Sequence, residues 1–271
     1  MRPLNPWRRG FLVLSALGIT AAVQAQPVQV AVAANFIGTA HALAAAYQAA
    51  GGAPVRLSLG STGQLYAQIR NGAPFDVFLS ADARRPRLLE AQGLAVAGSR
   101  YTYALGRLVL WSADPKEVDP HGRVLAHGAF RHLAIADPRT APYGAAARQV
   151  LRRLGLWKRL QARLVRGENI VQTFQFVASG AASLGFVAGS ELTPARTRPT
   201  GSKWVVPAAL YPPIRQQAVL LRHGAHRRAP RAFLAYLQSD AGRAIILRHG
   251  YGLPDTAERR STTARPAHPL P

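Results

Sequence analysis

The chain has 271 residues, 48% of them apolar, enough for two lobes with cores of their own and too apolar for a disordered protein. It lacks cysteine, which excludes disulfides, thiolate catalysis and cysteine-ligated zinc. Its formal charge of +22 comes mostly from arginines scattered along the chain; no basic stripe with interleaved aromatics appears, so the charge points to solvated faces and not to nucleic acid.

The first 25 residues carry an export pattern. Arg2, Arg8 and Arg9 precede an apolar run from Phe11 to Val23, and Val23-Gln24-Ala25 supplies small residues at the cleavage positions, so cleavage is expected after Ala25. The run is shorter than the roughly 20 residues a membrane span needs. Arg8-Arg9-Gly10-Phe11-Leu12 also fits a twin-arginine signal; either route leads to the periplasm.

Beyond the leader, Val28–Val32 reads as a strand entering a buried sheet, and the alanine-rich segment from Gly38 to Ala50 as a helix stopped by Gly51-Gly52. Val55–Leu59 is a second strand, Gln64–Asn71 a helix with Leu65 and Ile69 on one face, and Phe75–Ser80 a third strand. Alternation of strand and helix predicts a parallel α/β sheet. Leu105–Ser112 reads as one strand crossing into a second lobe, where Leu133–Ala136 and Leu184–Val187 are strands. Tyr143–Leu154 is a helix with Val150, Leu151 and Leu154 inward, and Glu168–Ser179 another with Ile170, Phe174 and Val177 on one side. Trp204–Val206 and Ala218–Leu221 flank a return crossover at Tyr211-Pro212-Pro213, and residues 230–247 close the fold as helices. The expected division is residues 26–104 plus 212–254 in one lobe, 105–211 in the other, and a proline-rich disordered tail over 255–271.

Four segments share one arrangement: Ala34-Asn35, Ser61-Thr62-Gly63, Pro142-Tyr143-Gly144 and Glu168-Asn169-Ile170 each lead from a strand or loop into a helix. Helix N-termini present unpaired N–H groups and a partial positive charge, so several aimed at one point would cage an anion. Each segment also has a plainer reading. Ser61, Thr62 and Asn169 fit ordinary N-caps, Asn35 a turn residue, and Tyr143 a core aromatic.

Longer stretches carry a resemblance. Val30–Phe36, Gly60–Ile69, Asn71–Asp82, Thr140–Gly144, Gly167–Ile170 and Leu210–Arg215, in that order, resemble the periplasmic molybdate-binding proteins, the solute-binding subunits of molybdate ABC importers. The resemblance spans about Val28 to Gly252. It implies a two-lobe periplasmic-binding-protein fold of type II with the ligand cleft between lobes, no enzyme activity and no cofactor. The implied ligand is molybdate or tungstate and the implied partner a membrane permease; the chain is expected to be a monomer. It also implies a ligand set: Asn35 with Ala34 lending backbone, Thr62 with Ser61 beside it, Tyr143, and the main-chain N–H of Ile170. A second tyrosine found in some members is Ala188 here, with Tyr143 expected to replace it.

The remaining candidates fit this picture as framework. Asp76 and Asp82 are expected to be structural, since a carboxylate in an oxyanion cage repels its ligand, and Glu168 to face away from the cleft. His223 and His226 are spaced like a metal pair without a third ligand, and His41 is the histidine nearest in sequence to the first segment. Two rival functions share part of the pattern: a sulfate-class binder, with the same physics, and an exported phosphate-ester hydrolase, which would need a nucleophile or metal cluster that no motif supplies.

Overall fold

The computed structural model describes residues 26–194 and 200–255. The leader with its Ala25 cleavage site, and the tail beyond Asp255, lie outside these residues.

The first sheet begins with β1 (Val28–Ala33), a strand whose residues are almost all buried because parallel strands flank it on both edges. A single 3-10 turn (Ala34–Phe36) leads into α1 (Ile37–Ala49), then β2 (Val55–Gly60), α2 (Thr62–Arg70), β3 (Val77–Ser80), α3 (Arg84–Ala91) and β4 (Tyr101–Gly106). The chain then enters a second sheet through β5 (Leu108–Ser112), followed by α4 (Val124–His127), β6 (Leu133–Ala136), α5 (Pro142–Arg153), α6 (Trp157–Leu160), β7 (Leu164–Gly167), α7 (Ile170–Ala178), β8 (Leu184–Ala188) and β9 (Ser202–Val205). It returns as β10 (Ile214–Leu220) and ends in α8 (Arg228–Gln238) and α9 (Asp240–Arg248).

The two sheets have the orders β2-β1-β3-β10-β4 and β7-β6-β8-β5-β9. In each, three parallel strands carry the first in the middle, and an antiparallel strand lies beside the third. That antiparallel strand is in both cases the first one after a crossover: β5 enters the second sheet and β10 re-enters the first. The parallel order 2-1-3 creates a switch point at the carboxyl end of the middle strand, where successive connections leave in opposite directions and open a crevice. The fold therefore has two such crevices, one per lobe.

Each sheet is covered on both faces. In the first lobe α1, α8 and α9 pack on one face around Phe36, Leu43 and Phe233, and α2 and α3 on the other around Leu65, Phe78 and Leu89. In the second, one face packs Leu110, Ile135, Val150 and Phe186, and the other Trp111, Val177 and Val187 against α7.

Two expectations are corrected. Leu105–Ser112 is two strands, not one: Leu105 and Gly106 pair with β10 in the first sheet, Leu108 pairs with β8 in the second, and the crossing falls at Arg107. The sheet boundary thus lies beyond residue 104. The parallel arrangement expected of the first three strands is present, and β10 joins it antiparallel. Leu154 points to solvent at 39% exposure because α5 ends at Arg153 and the chain turns away at Gly155, whose φ of 71° is the left-handed conformation glycine tolerates.

Candidate functional site

The two crevices face each other, and between them lies a small pocket lined mostly by buried residues. Its lining comes from the end of β1 (Ala33, Ala34, Asn35), the start of α2 (Ser61, Thr62), Ala81 after β3, the start of α5 (Ala141, Pro142, Tyr143) and the start of α7 (Asn169, Ile170). The four segments singled out from sequence thus meet at one place. No charged side chain lines the pocket.

Local sequence explains each helix start. Ser61 caps α2 in a capping box: its hydroxyl accepts from the Gln64 N–H at 3.3 Å, and its own N–H donates to Gln64 Oε1 at 3.0 Å. Thr62, the first helical residue, accepts the Ala81 N–H on its Oγ1 at 3.1 Å, which ties β3 to α2 and leaves its hydroxyl hydrogen to donate elsewhere. Pro142 opens α5 with its φ preset and no N–H to satisfy. Asn169 caps α7 by accepting from the N–H groups of Val171 and Gln172 at 3.0 and 3.1 Å. The Ile170 N–H, at the first position of that helix, is left outside the cap.

Behind the pocket runs a buried polar network that sequence reasoning missed. The Asn35 side-chain amide donates to Gln216 Oε1 at 2.8 Å and to the Tyr251 hydroxyl at 3.1 Å. Tyr103 donates to the same Gln216 oxygen at 3.2 Å, and Gln216 Nε2 donates to the Tyr143 hydroxyl at 3.4 Å. Tyr251 donates to the Asn35 carbonyl at 2.5 Å, and Ser190 donates to that carbonyl at 3.3 Å. The structure therefore differs from expectation at Asn35. Both its amide hydrogens are engaged inside the protein. A sequence signal existed: Gln216-Gln217 continues past the exposed Arg215 into an apolar strand end, and Gln216 is fully buried.

Tyr143 is nearly inaccessible, with its hydroxyl packed against Gly106, where an added Cβ would lie 2.3 Å from the oxygen. Burial, reinforced by the neighbouring Tyr251, Tyr103, Tyr211 and Glu191, pushes its hydroxyl well above the usual tyrosine range. It stays protonated and able to donate.

Outside the pocket, a cleft of about 530 Å³ opens between the lobes, with Arg84, Arg85, Arg139, Arg148 and Arg215 around it and Asp82 as its acidic member. Asp82 is paired with Arg85. Arg139 pairs with Asp137 at 2.8 Å and holds that carboxyl below the usual range. The other candidates fall elsewhere. Asp76 is buried near the amino end of β3, opposite the pocket, against Arg227 at 2.6 Å and His223 at 2.9 Å. His41, His226 and Glu168 are exposed, and Ala188 is buried at the end of β8. Among the described residues, no group of three or more metal-ligating side chains exists.

Comparisons with known proteins give the chain's family. Residues 28–252 match the family described as bacterial extracellular solute-binding protein. The molybdate-binding protein of Azotobacter vinelandii is 50% identical over 89% of this chain and 96% of its own length. That of Rhodobacter capsulatus is 46% identical over 87% of this chain and 92% of its own. The solved structure of the Azotobacter vinelandii periplasmic molybdate-binding protein superposes with a TM-score of 0.82 at 46% identity, covering 84% of this chain and 100% of that one.

Proposed function

From a chain that belongs to the periplasmic molybdate-binding proteins of the bacterial extracellular solute-binding family, we propose that the small pocket between the two lobes holds one dehydrated molybdate or tungstate dianion. The protein is a molybdate-binding component of an ABC importer, not an enzyme, and molybdate is its cargo. Its relatives favour neither the sulfate-class nor the phosphate-ester reading. The family is extracellular, so the chain is exported; cleavage after Ala25 follows from the leader pattern.

One observation carries the site assignment: helix N-termini and hydroxyls of both lobes converge on a pocket without a charged side chain. In such a site Thr62 and Tyr143 donate their hydroxyl hydrogens, and Ile170 donates its N–H. Ser61 donates a hydroxyl whose acceptor side is taken by its own helix. The turn at Ala34-Asn35 adds main-chain N–H. Preorganised donors at a dry site act far more strongly than in water, because no solvent must reorganise around the charge. The loaded protein would act as a monomer and present both lobes to a membrane permease.

Diffraction from crystals grown with molybdate, recorded at the molybdenum absorption edge, tests the assignment. One anomalous peak within hydrogen-bond distance of Thr62 Oγ1, Tyr143 Oη and the Ile170 nitrogen is expected. A peak elsewhere would reject this donor set.

A further inference from the structure

We propose that Gly63 and Arg85 form a clasp across the cleft mouth that sets how long the oxyanion is held, with the carbonyls of Arg139 and Thr140 as its receiving half. The inference rests on the reading that the lobes close around molybdate. The Gly63 N–H donates to the Thr140 carbonyl at 2.8 Å, and Arg85 Nη2 donates to the Arg139 carbonyl at 3.0 Å. Both bonds join the first lobe to the loop between β6 and α5, and neither Gly63 nor Arg85 lines the small pocket.

Both halves are held in place before they meet. Arg85 is paired with the carboxylate of Asp82, whose other oxygen accepts the Arg85 N–H at 2.9 Å. On the opposite side, the Asp137 carbonyl accepts from the N–H groups of Thr140 and Ala141 at 3.2 and 2.9 Å, and its carboxylate accepts the Arg139 N–H at 2.9 Å. The two acceptor carbonyls therefore sit in a turn braced by Asp137.

The backbone nearest to the glycine's missing side chain belongs to the other lobe. Gly63 occupies an early position of α2, where alanine would be the better helix former, and its backbone is not in the left-handed region. A Cβ there would lie 2.9 Å from Thr140 Cα and 3.1 Å from Thr140 Cβ in the other lobe, and 3.0 Å from Nη2 at the far end of the Arg85 side chain in its own. An added methyl would thus obstruct the closed cleft while leaving the open protein unharmed. Contacts made only in the closed state act on release, not capture.

The two substitutions separate closure from folding. Gly63→Ala should leave the ligand-free melting temperature unchanged or raised, yet weaken molybdate binding by about tenfold or more. Arg85→Ala should speed molybdate release several-fold in stopped-flow displacement with little change in the capture rate, and Arg85→Lys should recover part of the loss. The proposal is overturned if wild-type protein binds molybdate and both variants release it at the wild-type rate. It is equally overturned if Gly63→Ala loses affinity and ligand-free stability together. Failure of the wild-type protein itself to bind molybdate would instead reject the functional reading.

Discussion

Each hydroxyl in the pocket has an acceptor position already filled by the protein. Thr62 Oγ1 accepts from Ala81, Ser61 Oγ from Gln64 and Tyr143 Oη from Gln216, so each hydroxyl hydrogen is free for the ligand. Removing one donor to a buried dianion costs roughly 1.5–3 kcal/mol, about 10- to 150-fold in affinity. Tyr143→Phe and Thr62→Ala are each expected to weaken molybdate binding by that factor in calorimetry, and Thr62→Ser to restore most of it. Unchanged affinity in both would remove these residues from the site. The same donors set the pH response. A tyrosine whose folded-state pKa is raised stays neutral past its ordinary value of about 10, and none of the other donors titrates near neutrality. Molybdate affinity should stay nearly constant between about pH 6 and 9, and a tenfold loss within that window would implicate a titrating group in the pocket. Monohydrogen phosphate, by contrast, would press an O–H against groups offered as donors and should bind poorly.

At the scale of the elements, the site is the product of two switch points and the helices that start there. The caps fix those starts. Asn169→Ala should remove two hydrogen bonds from the first turn of α7 and lower stability by about 1 kcal/mol, measured as a shift in the urea midpoint without change in its slope. Stability equal to wild type would mean that solvent replaces the cap without cost. The strands and helices at these switch points were legible in the sequence because their apolar periodicity is strong, as in Val28–Ala33 or Leu133–Ala136. Others were not. The segment Arg84–Ala91 is too rich in arginine to show an apolar face, although Pro86 and Leu89 are buried. Leu164–Gly167 is a short edge strand with little burial. The break at Arg107 was hidden because β4 and β5 are apolar on both sides of it. The engagement of Asn35 depended on Gln216 and Tyr251, 181 and 216 residues away, pairings that no local pattern encodes.

Across the whole molecule, the fold separates two electrostatic tasks. The small pocket is lined by uncharged side chains, while the chain carries a formal charge of +22 and the larger cleft beside it is ringed with arginine. Long-range attraction then speeds capture of a dianion and is screened by salt, whereas the buried contacts are not. Raising ionic strength should slow molybdate association while leaving its release rate nearly unchanged, a split that stopped-flow kinetics reads directly; equal effects on both rates would argue that surface charge reaches the bound ion. On the proposed reading, the two lobes close around a tetrahedral dianion with neutral donors alone. Titration calorimetry of the mature protein against molybdate, tungstate, sulfate and phosphate tests it most directly. One site per chain, tight binding of molybdate and tungstate, and much weaker binding of phosphate at neutral pH are expected. Tight binding of phosphate, or no heat with molybdate or tungstate, would contradict it.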